Sequence, residues 1–411
     1  MTLQVKSVSS FRFDELFHDY INQFHENLYH VIPDVKSGST LPLQLVRNSP
    51  VKKHNPIIQA ASPDHAQEIV NIYRDIYGNT YPYKEMTDVE EVRRMLKNKD
   101  YTFILFKDKN DIIMGCFTFV FDFVHRRAYM RGYNVKRKYQ KYFDVVKGFI
   151  GSLLAMIHEH QDRILMWYAE NRTAHSASQY FCQVAGVKNV AFLPNKDIFL
   201  NKIESDMMHV GYHETMLKTL RSSRFFCILP EVVPCFTFIS QRYSFLAHSI
   251  NVVNPDLFLD HIRVHENVHR ITRCMKMDAF GYVTFTFKIR GSDSFLKGLY
   301  TPTIKNMEKI KYHAESLEEL SAFLIHLQHL RESLGVRYME CMVSAREPLH
   351  QRIFLNHGFY PRGYVPSWEF DEDEKKFYDC ILFNWFLPPL APDLKLIDEG
   401  WMLLRYLNFI N

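Results

Sequence analysis

The spacing of apolar positions changes within one stretch, residues 126–161, and this change predicts a strand that leads into a helix. Ala128 and Met130, and then Tyr133 and Val135, alternate with polar residues, which is the period of a strand. The apolar residues that follow recur at helical spacing, at Val145, Phe149, Leu153, Leu154 and Ile157. Residues 136–144 between the two patterns are expected to form a short turn.

This turn is basic. It contains Lys136, Arg137, Lys138 and Lys141, and Asp144 stands where an N-cap residue accepts a hydrogen bond from the first helical turn. Unpaired amides at a helix start, the helix dipole and nearby cations together favour a bound phosphate or pyrophosphate. The alternative is a solvated corner with no ligand, because charged turns are common on protein surfaces.

The same periodicities predict further strands and helices along the chain. Strands are expected over 57–60, 101–106, 112–123, 164–169, 190–193 and 207–212, and helices from Ser62 onward, over 88–96 and over 176–185 with Gly186 as the stop. Alternating strands and helices of this kind predict an α/β protein with a mixed sheet.

Two segments of the chain resemble each other at a constant separation of 172 residues. The segments that begin at Ser178 and His350 share Gln179 with Gln351, Gly186 with Gly358 and Pro194 with Pro366. The same separation places the helix from Val145 over residues 317–334 and the strand 164–169 over 336–341. This agreement favours a duplicated α/β unit.

The repeat divides the chain into five parts. Residues 1–56 are an appendage with a helical apolar stripe between Phe11 and Leu28, 57–214 and 251–388 are the two units, 215–250 connects them, and 389–411 is a tail. Trp401, Leu403 and Leu404 make the tail so apolar that it is expected to be docked.

Composition narrows the class of protein. The net charge of +4 over 411 residues makes a dedicated nucleic-acid binder unlikely. The seven cysteines include no CxxC pair, which favours reduced core residues in the cytoplasm and no metal site.

His261, His265 and His269 recur every four residues, but helix and strand both remain open there and no carboxylates accompany them. No segment has the length and hydropathy of a membrane span, so no membrane partner is expected.

The order of elements in residues 56–214 resembles the GNAT superfamily of acyl-CoA N-acyltransferases, and the second repeat extends the resemblance to a tandem arrangement. In that superfamily the pyrophosphate of acyl-CoA lies on the turn between the fourth strand and its helix, in a pattern of Arg or Gln, two residues, Gly, one residue, and Gly or Ala. Here Gln140 takes the first position, whereas Phe143 and Val145 replace the glycines. The corresponding turn of the second repeat is acidic after Ala314, so the second unit is expected to be degenerate.

The resemblance implies acetyl-CoA or another acyl-CoA as co-substrate, bound by the first unit. The implied cofactor-binding residues are Val135, Lys136, Arg137, Gln140, Lys141, Tyr142, Phe143, Asp144, Val145 and Asn171. The Tyr that often serves as acid in the superfamily is replaced by Cys182 in the first unit and by Phe354 in the second.

Two residues are candidates for the general base. Glu170 is expected at the end of a central strand, and His175 opens the next helix, where Ser176 or Ser178 can act as the cap. Arg127, Tyr129 and Arg131 share one strand face and can recognise an acidic substrate group or pair with Asp122.

The sequence thus predicts an acyl-CoA-dependent N-acyltransferase, most simply an acetyltransferase that acts on an amine. Two alternatives remain: a non-catalytic GNAT-like binding or scaffolding protein, and a tandem transferase that uses aminoacyl-tRNA or a long-chain acyl-CoA. The acceptor, the acyl chain and the oligomeric state are not determined by the sequence.

Overall fold

The computed structural model describes residues 3–5, 40–45, 56–243 and 250–410. The predicted helical stripe between Phe11 and Leu28 lies outside these residues. The fold is α/β, and the chain divides into two compact units. Unit 1 comprises residues 1–189, 199–201 and 208–219, and unit 2 comprises 190–198, 202–207 and 220–411.

Unit 1 is built on a mixed sheet. Its elements in chain order are β1 (Leu3–Val5), β2 (Thr40–Leu45), β3 (Ile57–Ala60), α1 (Ala66–Tyr77), α2 (Val89–Lys97), β4 (Tyr101–Lys107), β5 (Ile113–Asp122), β6 (Arg127–Val135), α3 (Val145–His160), β7 (Met166–Arg172), α4 (Ala177–Val184), β8 (Lys188–Phe199) and β9 (Lys202–Tyr212). Most of β8 (190–198) and the first part of β9 (202–207) belong to unit 2. The strand order from β1 to β9 is β1-β2-β3-β4-β5-β6-β7-β9. The strand β3 and helices α1 and α2 therefore lie close to their predicted positions, whereas β8 and β9 are longer than predicted.

Alternation along the strands creates two apolar cores, one on each face of this sheet. One core joins α3 and α4 to inward residues such as Phe117, Phe119 and Trp167. The other joins α1 and α2 to Phe103, Leu105 and Cys116. Because Cys116 and Phe117 are neighbours on β5 and belong to different cores, successive residues of the central strands face opposite helices.

Unit 2 has a comparable second half. Its elements are β10 (Phe226–Ile228), α5 (Val233–Tyr243), β11 (Ile250–Val252), α6 (His261–Arg270), β12 (Ile271–Met277), β13 (Val283–Ile289), β14 (Phe295–Thr301), β15 (Asn306–His313), α7 (Leu317–Leu334), β16 (Tyr338–Ser344), α8 (Pro348–Asn356), β17 (Tyr360–Asp371), β18 (Lys376–Phe386) and α9 (Asp398–Tyr406). The tail carries α9, in which Leu403 and Leu404 are fully buried. His261, His265 and His269 lie on a helix. The sequence had left both helix and strand open for these residues.

The 172-residue separation holds for the bounds of β7 and β16, of β8 and β17, and for the first residues of α3 and α7. The two units also share a glutamine that has the same role in each. Gln179 donates to the carbonyl of Arg172, and Gln351 donates to the carbonyl of Ser344, so each glutamine braces the turn from strand to helix.

The 172-residue separation does not hold before α3. The turn before the helix covers 136–144 in unit 1 but only 314–316 in unit 2, so the preceding strands are shifted further apart. In addition, a hairpin at 278–282 joins β12 directly to β13, whereas α1 and α2 lie between β3 and β4. The two units therefore differ in their first halves.

Lowering the pH is expected to destabilise the protein through His160 at the end of α3. This ring packs against Phe121 at a centroid distance of 4.3 Å, and desolvation by burial, with Arg163 nearby, lowers its pKa to about 4. The unfolded chain takes up a proton near pH 6.5, so stability is present above that pH and is lost as the pH falls towards 4. Between pH 7.5 and 5.5 this residue should cost about 1 kcal/mol of unfolding free energy.

Urea denaturation at both pH values measures the effect, with His160→Phe as the variant that keeps a buried ring without a titrating group. The variant should lose less stability than the wild-type chain over this interval. An equal loss in both proteins would show that His160 does not carry the pH dependence.

Candidate active site

The central parallel strands of unit 1 separate part-way along their length. The ladder between β6 and β7 pairs Arg127 with Met166, Ala128 with Trp167 and Tyr129 with Tyr168. Beyond these pairs β6 continues to Val135 and β7 to Arg172. The strands therefore diverge towards the turn that leads into α3, and side chains at this divergence are the candidate site.

A bulge in β6 marks the start of the divergence. The register between β5 and β6 shifts between Cys116 and Thr118, and Gly132 has a φ of 63°, in the left-handed region. A Cβ at Gly132 would also collide with the Tyr73 hydroxyl of α1. Both the backbone conformation and this close approach require glycine here.

Glu170 lies within β7 rather than at its end, because the strand continues to Arg172. Its Oε2 accepts a hydrogen bond from the Tyr129 hydroxyl at 3.2 Å. The Tyr129 ring in turn stacks on Tyr168 with a centroid distance of 4.9 Å. A half-buried carboxylate is thus fixed just beyond the last paired residues of the two strands.

Asn171 and His175 lie apart from this carboxylate. Asn171 is the next residue on β7 and points to the opposite face, where its Nδ2 lies 2.9 Å from Nδ1 of His209 and 3.3 Å from Sγ of Cys182. His175 is exposed in the turn before α4. Ser176 stands at the N-cap position of α4, as predicted. Its side chain, however, accepts no hydrogen bond from the first turn of the helix.

Cys182 occupies the position expected for a tyrosine acid. Desolvation by burial raises the pKa of its thiol to about 12, although the hydrogen bond from Asn171 acts in the opposite direction. The thiol is therefore neutral near pH 7 and is a poor proton donor.

Side chains of the turn before α3 fill part of the space around the start of that helix. As predicted, Asp144 is the N-cap of α3, and its carboxylate accepts from the Lys147 amide at 3.2 Å. Phe143 is fully buried, whereas Tyr142 is exposed. Gln140 donates to the carbonyl of Val135 at 3.0 Å. An anion at this helix start would therefore lie close to the Asp144 carboxylate.

The basic residues of the turn fall into two groups. Lys136 forms an ion pair with Glu68 of α1, and Arg137 donates to the carbonyl of Ile76 at 2.7 Å. Lys138 and Lys141 are exposed. The first pair joins the turn to α1, and the second pair faces solvent, where it can attract phosphate groups.

Tyr133 was predicted only as an apolar position of a strand, and its contacts with α3 were not foreseen. Its hydroxyl donates to the carbonyl of Val145 at 2.6 Å, and its ring lies 5.6 Å from that of Phe181 and 5.1 Å from that of Phe117. A Cβ at Gly148 would lie 2.6 Å from the same hydroxyl, which explains a glycine inside α3. Tyr133 thus joins β6 to the first turn of α3 and lines the divergence with an aromatic ring.

A second missed feature is an aromatic cluster on the α1 side of the sheet. Tyr77 and Tyr81 lie 4.7 Å apart between ring centroids, Tyr83 and Phe199 extend the cluster, and the Arg172 guanidinium lies 4.2 Å from the Phe199 ring. Arg172 shares its strand face with Glu170. Arg172 and Phe199 are far in sequence from the three tyrosines, so no local pattern could have indicated the cluster.

The corresponding turn of unit 2 is unsuited to an anion. Ser316 caps α7 by accepting from the Glu319 amide at 3.2 Å, and Glu318 and Glu319 lie in the first helical turn. Two carboxylates at a helix start repel phosphate. That only the first unit binds a cofactor stays a prediction.

Two absences apply to the described part of the chain. Within it, no three His, Cys, Asp or Glu side chains come together as a metal site. None of the helices in the same residues has both the length and the hydropathy needed to cross a bilayer.

No protein-family model and no curated protein matches the chain. Among solved structures, a mutant of the spermidine N-acetyltransferase SpeG from Vibrio cholerae is similar at 11% identity and a TM-score of 0.32, over 38% of this chain and 94% of that one. The ribosomal-protein-S5-alanine acetyltransferase from Vibrio fischeri is similar at 12% identity and a TM-score of 0.33, over 39% and 93%.

A third similar structure is RimL, a ribosomal L7/L12 alpha-N-protein acetyltransferase in complex with coenzyme A. It has 14% identity and a TM-score of 0.33, over 40% of this chain and 97% of that one. Similarities of this size carry no argument about activity. A proposed activity has to rest on the geometry of the chain itself.

Proposed function

We propose that unit 1 is an acyl-CoA-dependent N-acyltransferase, most simply an acetyltransferase, that moves the acyl group to an amine. The observation that carries this proposal is the divergence of β6 and β7 beyond Tyr129 and Tyr168, with Glu170 beside it and the start of α3 at its far end. A thioester in the divergence would have a carboxylate on one side and a helix N-terminus on the other.

The chemistry follows from these positions. Glu170 accepts a proton from the incoming ammonium, through water or directly, and the free amine attacks the thioester carbonyl. The tetrahedral intermediate then breaks its C–S bond, and the second proton of the nitrogen passes through solvent to the CoA thiolate. The thiolate leaves with little help, because a free thiol has a pKa of about 8.5. A neutral Cys182 is therefore no obstacle to transfer.

The co-substrate is expected at the turn before α3. Lys138 and Lys141 attract the phosphates of acyl-CoA, and the implied contacts of Val135, Gln140, Tyr142, Phe143 and Val145 come from the main chain of the turn. Asn171 remains a proposed contact of the pantetheine arm, although its amide already contacts His209 and Cys182.

A non-catalytic binding role is the second candidate, and a specific observation favours it. The Asp144 carboxylate and the buried Phe143 ring occupy the helix start where the superfamily has glycines and a free phosphate site. If these groups exclude acyl-CoA, the protein keeps the fold without the transfer reaction.

Replacing Lys138 and Lys141 together by Ala should weaken acetyl-CoA binding about fivefold, since each exposed charge contributes on the order of 0.5 kcal/mol to a phosphate contact. Calorimetric titration at low and high salt measures the effect, which should shrink as salt is added. The matched control replaces two exposed lysines near α2, Lys97 and Lys99, by Ala and should leave the affinity unchanged.

Asp144→Asn tests the occupied helix start in the same titration. Asparagine retains the capping hydrogen bond and removes the negative charge, so acetyl-CoA should bind more tightly. If neither the lysine pair nor Asp144→Asn changes the affinity, the phosphates do not lie at this turn.

A further inference from the structure

Four buried polar side chains surround the bulge at Gly132 on the α1 side of the sheet. Tyr73 of α1 and Thr118 of β5 are fully buried, and Asn134 of β6 is 4% exposed. Arg131, between them on β6, is partly buried. Within the described residues, Arg131 Nε and Asn134 Nδ2 have no hydrogen-bond partner. The buried hydroxyls of Tyr73 and Thr118 interact with each other and have no hydrogen-bond partner among the other described groups.

These groups face the same place. Thr118 pairs across the strands with Arg131, and Asn134 pairs with Cys116 two residues earlier on β5, so these three lie on one face of the sheet, the face that Tyr73 of α1 covers. The Tyr73 hydroxyl contacts Gly132, and Asn134 Nδ2 lies 3.8 Å from the position of a Cβ on that glycine. Gly132 therefore lies next to the Tyr73 hydroxyl and the Asn134 amide, between α1 and β5.

The site has an excess of hydrogen-bond donors. The Tyr77 hydroxyl already donates to Asn134 Oδ1 at 3.3 Å, which leaves the amide group of Asn134 as a donor. Desolvation by burial raises the pKa of Tyr73 far above its usual value, so its hydroxyl keeps its proton. Arg131 always carries a positive charge and five N–H donors.

The protein balances the charge of Arg131 but supplies few short hydrogen bonds to it. Glu85 forms an ion pair with Arg131, with 3.7 Å between Oε1 and Nη1, and Nη2 donates to the sulfur of Met86 at 3.5 Å. Both contacts are longer than an ordinary N–H···O hydrogen bond. Native proteins rarely leave buried donors unmatched, so an acceptor, either ordered water or a ligand, is expected here.

We propose that Tyr73, Thr118, Arg131 and Asn134 bind the carboxylate of a small ligand. A planar, bidentate acceptor with negative charge matches the guanidinium and can take hydrogen bonds from the hydroxyls and the amide. Tyr129 lies two residues before Arg131 on the same face of β6 and donates to Glu170, so the site is next to the proposed base.

This position gives the site a role in the proposed function, on which the following step rests. An acceptor held by its carboxylate at Arg131 would present its amine on the same sheet face as Glu170. The acceptor class is then a compound that carries both an amine and a carboxylate, either a free amino acid or the end of a peptide chain.

Saturation-transfer NMR on the full chain without acyl-CoA tests the site directly. Propionate is the probe, and propionamide is the neutral control of the same shape. Propionate should bind saturably and propionamide should not. Arg131→Gln should weaken propionate binding at least tenfold and Tyr73→Phe severalfold, whereas Arg94→Gln, on the exposed face of α2, should have no effect.

Thermal unfolding establishes that each variant is folded, and Tyr73→Phe serves as the decisive variant if Arg131→Gln does not fold. Competition separates the two sources of carboxylate: displacement of propionate by L-alanine indicates a free amino acid, and displacement only by trialanine indicates a peptide end. Both results support the site.

The proposal is overturned if propionate does not bind, if propionamide binds equally well, if Arg131→Gln and Tyr73→Phe bind propionate like the wild-type chain, or if chloride binds as tightly. Because no acyl donor is present, a negative result leaves acyl transfer untouched. Conversely, carboxylate binding without any acyl transfer would retain this site and remove the proposed function.

Discussion

Glu170→Gln should reduce acyl transfer by about a hundredfold or more, because glutamine keeps the shape of the side chain but cannot accept the proton of the incoming ammonium. The carboxylate is placed for this role by the Tyr129 hydroxyl, 3.2 Å from Oε2. Release of the CoA thiol from acetyl-CoA, followed with a thiol reagent in the presence of spermidine, L-lysine and a serine-initiated peptide, measures the rate.

Two variants serve as controls for this result. Tyr129→Phe removes one hydrogen bond and leaves the base, so it should lower the rate less than tenfold. Cys182→Ala should also do little, because that thiol is buried and neutral. Near-normal turnover of Glu170→Gln would rule out this base and make His175 the next residue to test, and a severe loss in a folded Cys182→Ala would restore it as the acid.

Asp379→Ala in unit 2 should have the largest effect on stability, a loss of about 3 to 5 kcal/mol of unfolding free energy. Asp379 is fully buried and accepts two hydrogen bonds from Arg221, at 2.9 and 2.6 Å. It also accepts from the Tyr364 hydroxyl at 2.6 Å and from the Ser367 amide at 3.0 Å. Removal of the carboxylate leaves a buried guanidinium without its charge partner.

Urea denaturation measures the loss, with Glu372→Ala as the matched control. Glu372 pairs with Lys375 on the surface, where both side chains are largely exposed, so its removal should cost less than about 1 kcal/mol. A similar small cost for Asp379→Ala would mean that the buried pair contributes little beyond its desolvation.

The sequence was most informative where neighbouring residues determine the structure. The N-cap at Asp144 follows from a short polar side chain before an apolar helical stripe, and Gly186, with a φ of 73°, ends the segment where a helix stop was predicted. The 172-residue separation holds from the start of α3 to the end of β8 because the segments that join β7 to β8 and β16 to β17 have equal length. In contrast, β9 and β18 are 174 residues apart.

The candidate site depends on contacts that no local pattern encodes. Glu170 was identified from its expected place at a strand end, but its partner Tyr129 lies on a neighbouring strand and became visible only with the register of β6 and β7. Arg131 was grouped with Arg127 by alternation, yet Arg127 pairs with Asp122 whereas Arg131 lies in the donor-rich site. Burial and cross-strand register made this distinction.

Calorimetric titration of acetyl-CoA into the wild-type chain tests the central claim most directly, with palmitoyl-CoA as a second donor. The account predicts saturable binding of a single acyl-CoA molecule per chain, tighter in Asp144→Asn and weaker when Lys138 and Lys141 are replaced by Ala. Absence of binding by both donors to the wild-type chain and to Asp144→Asn would contradict an acyl-CoA site in unit 1.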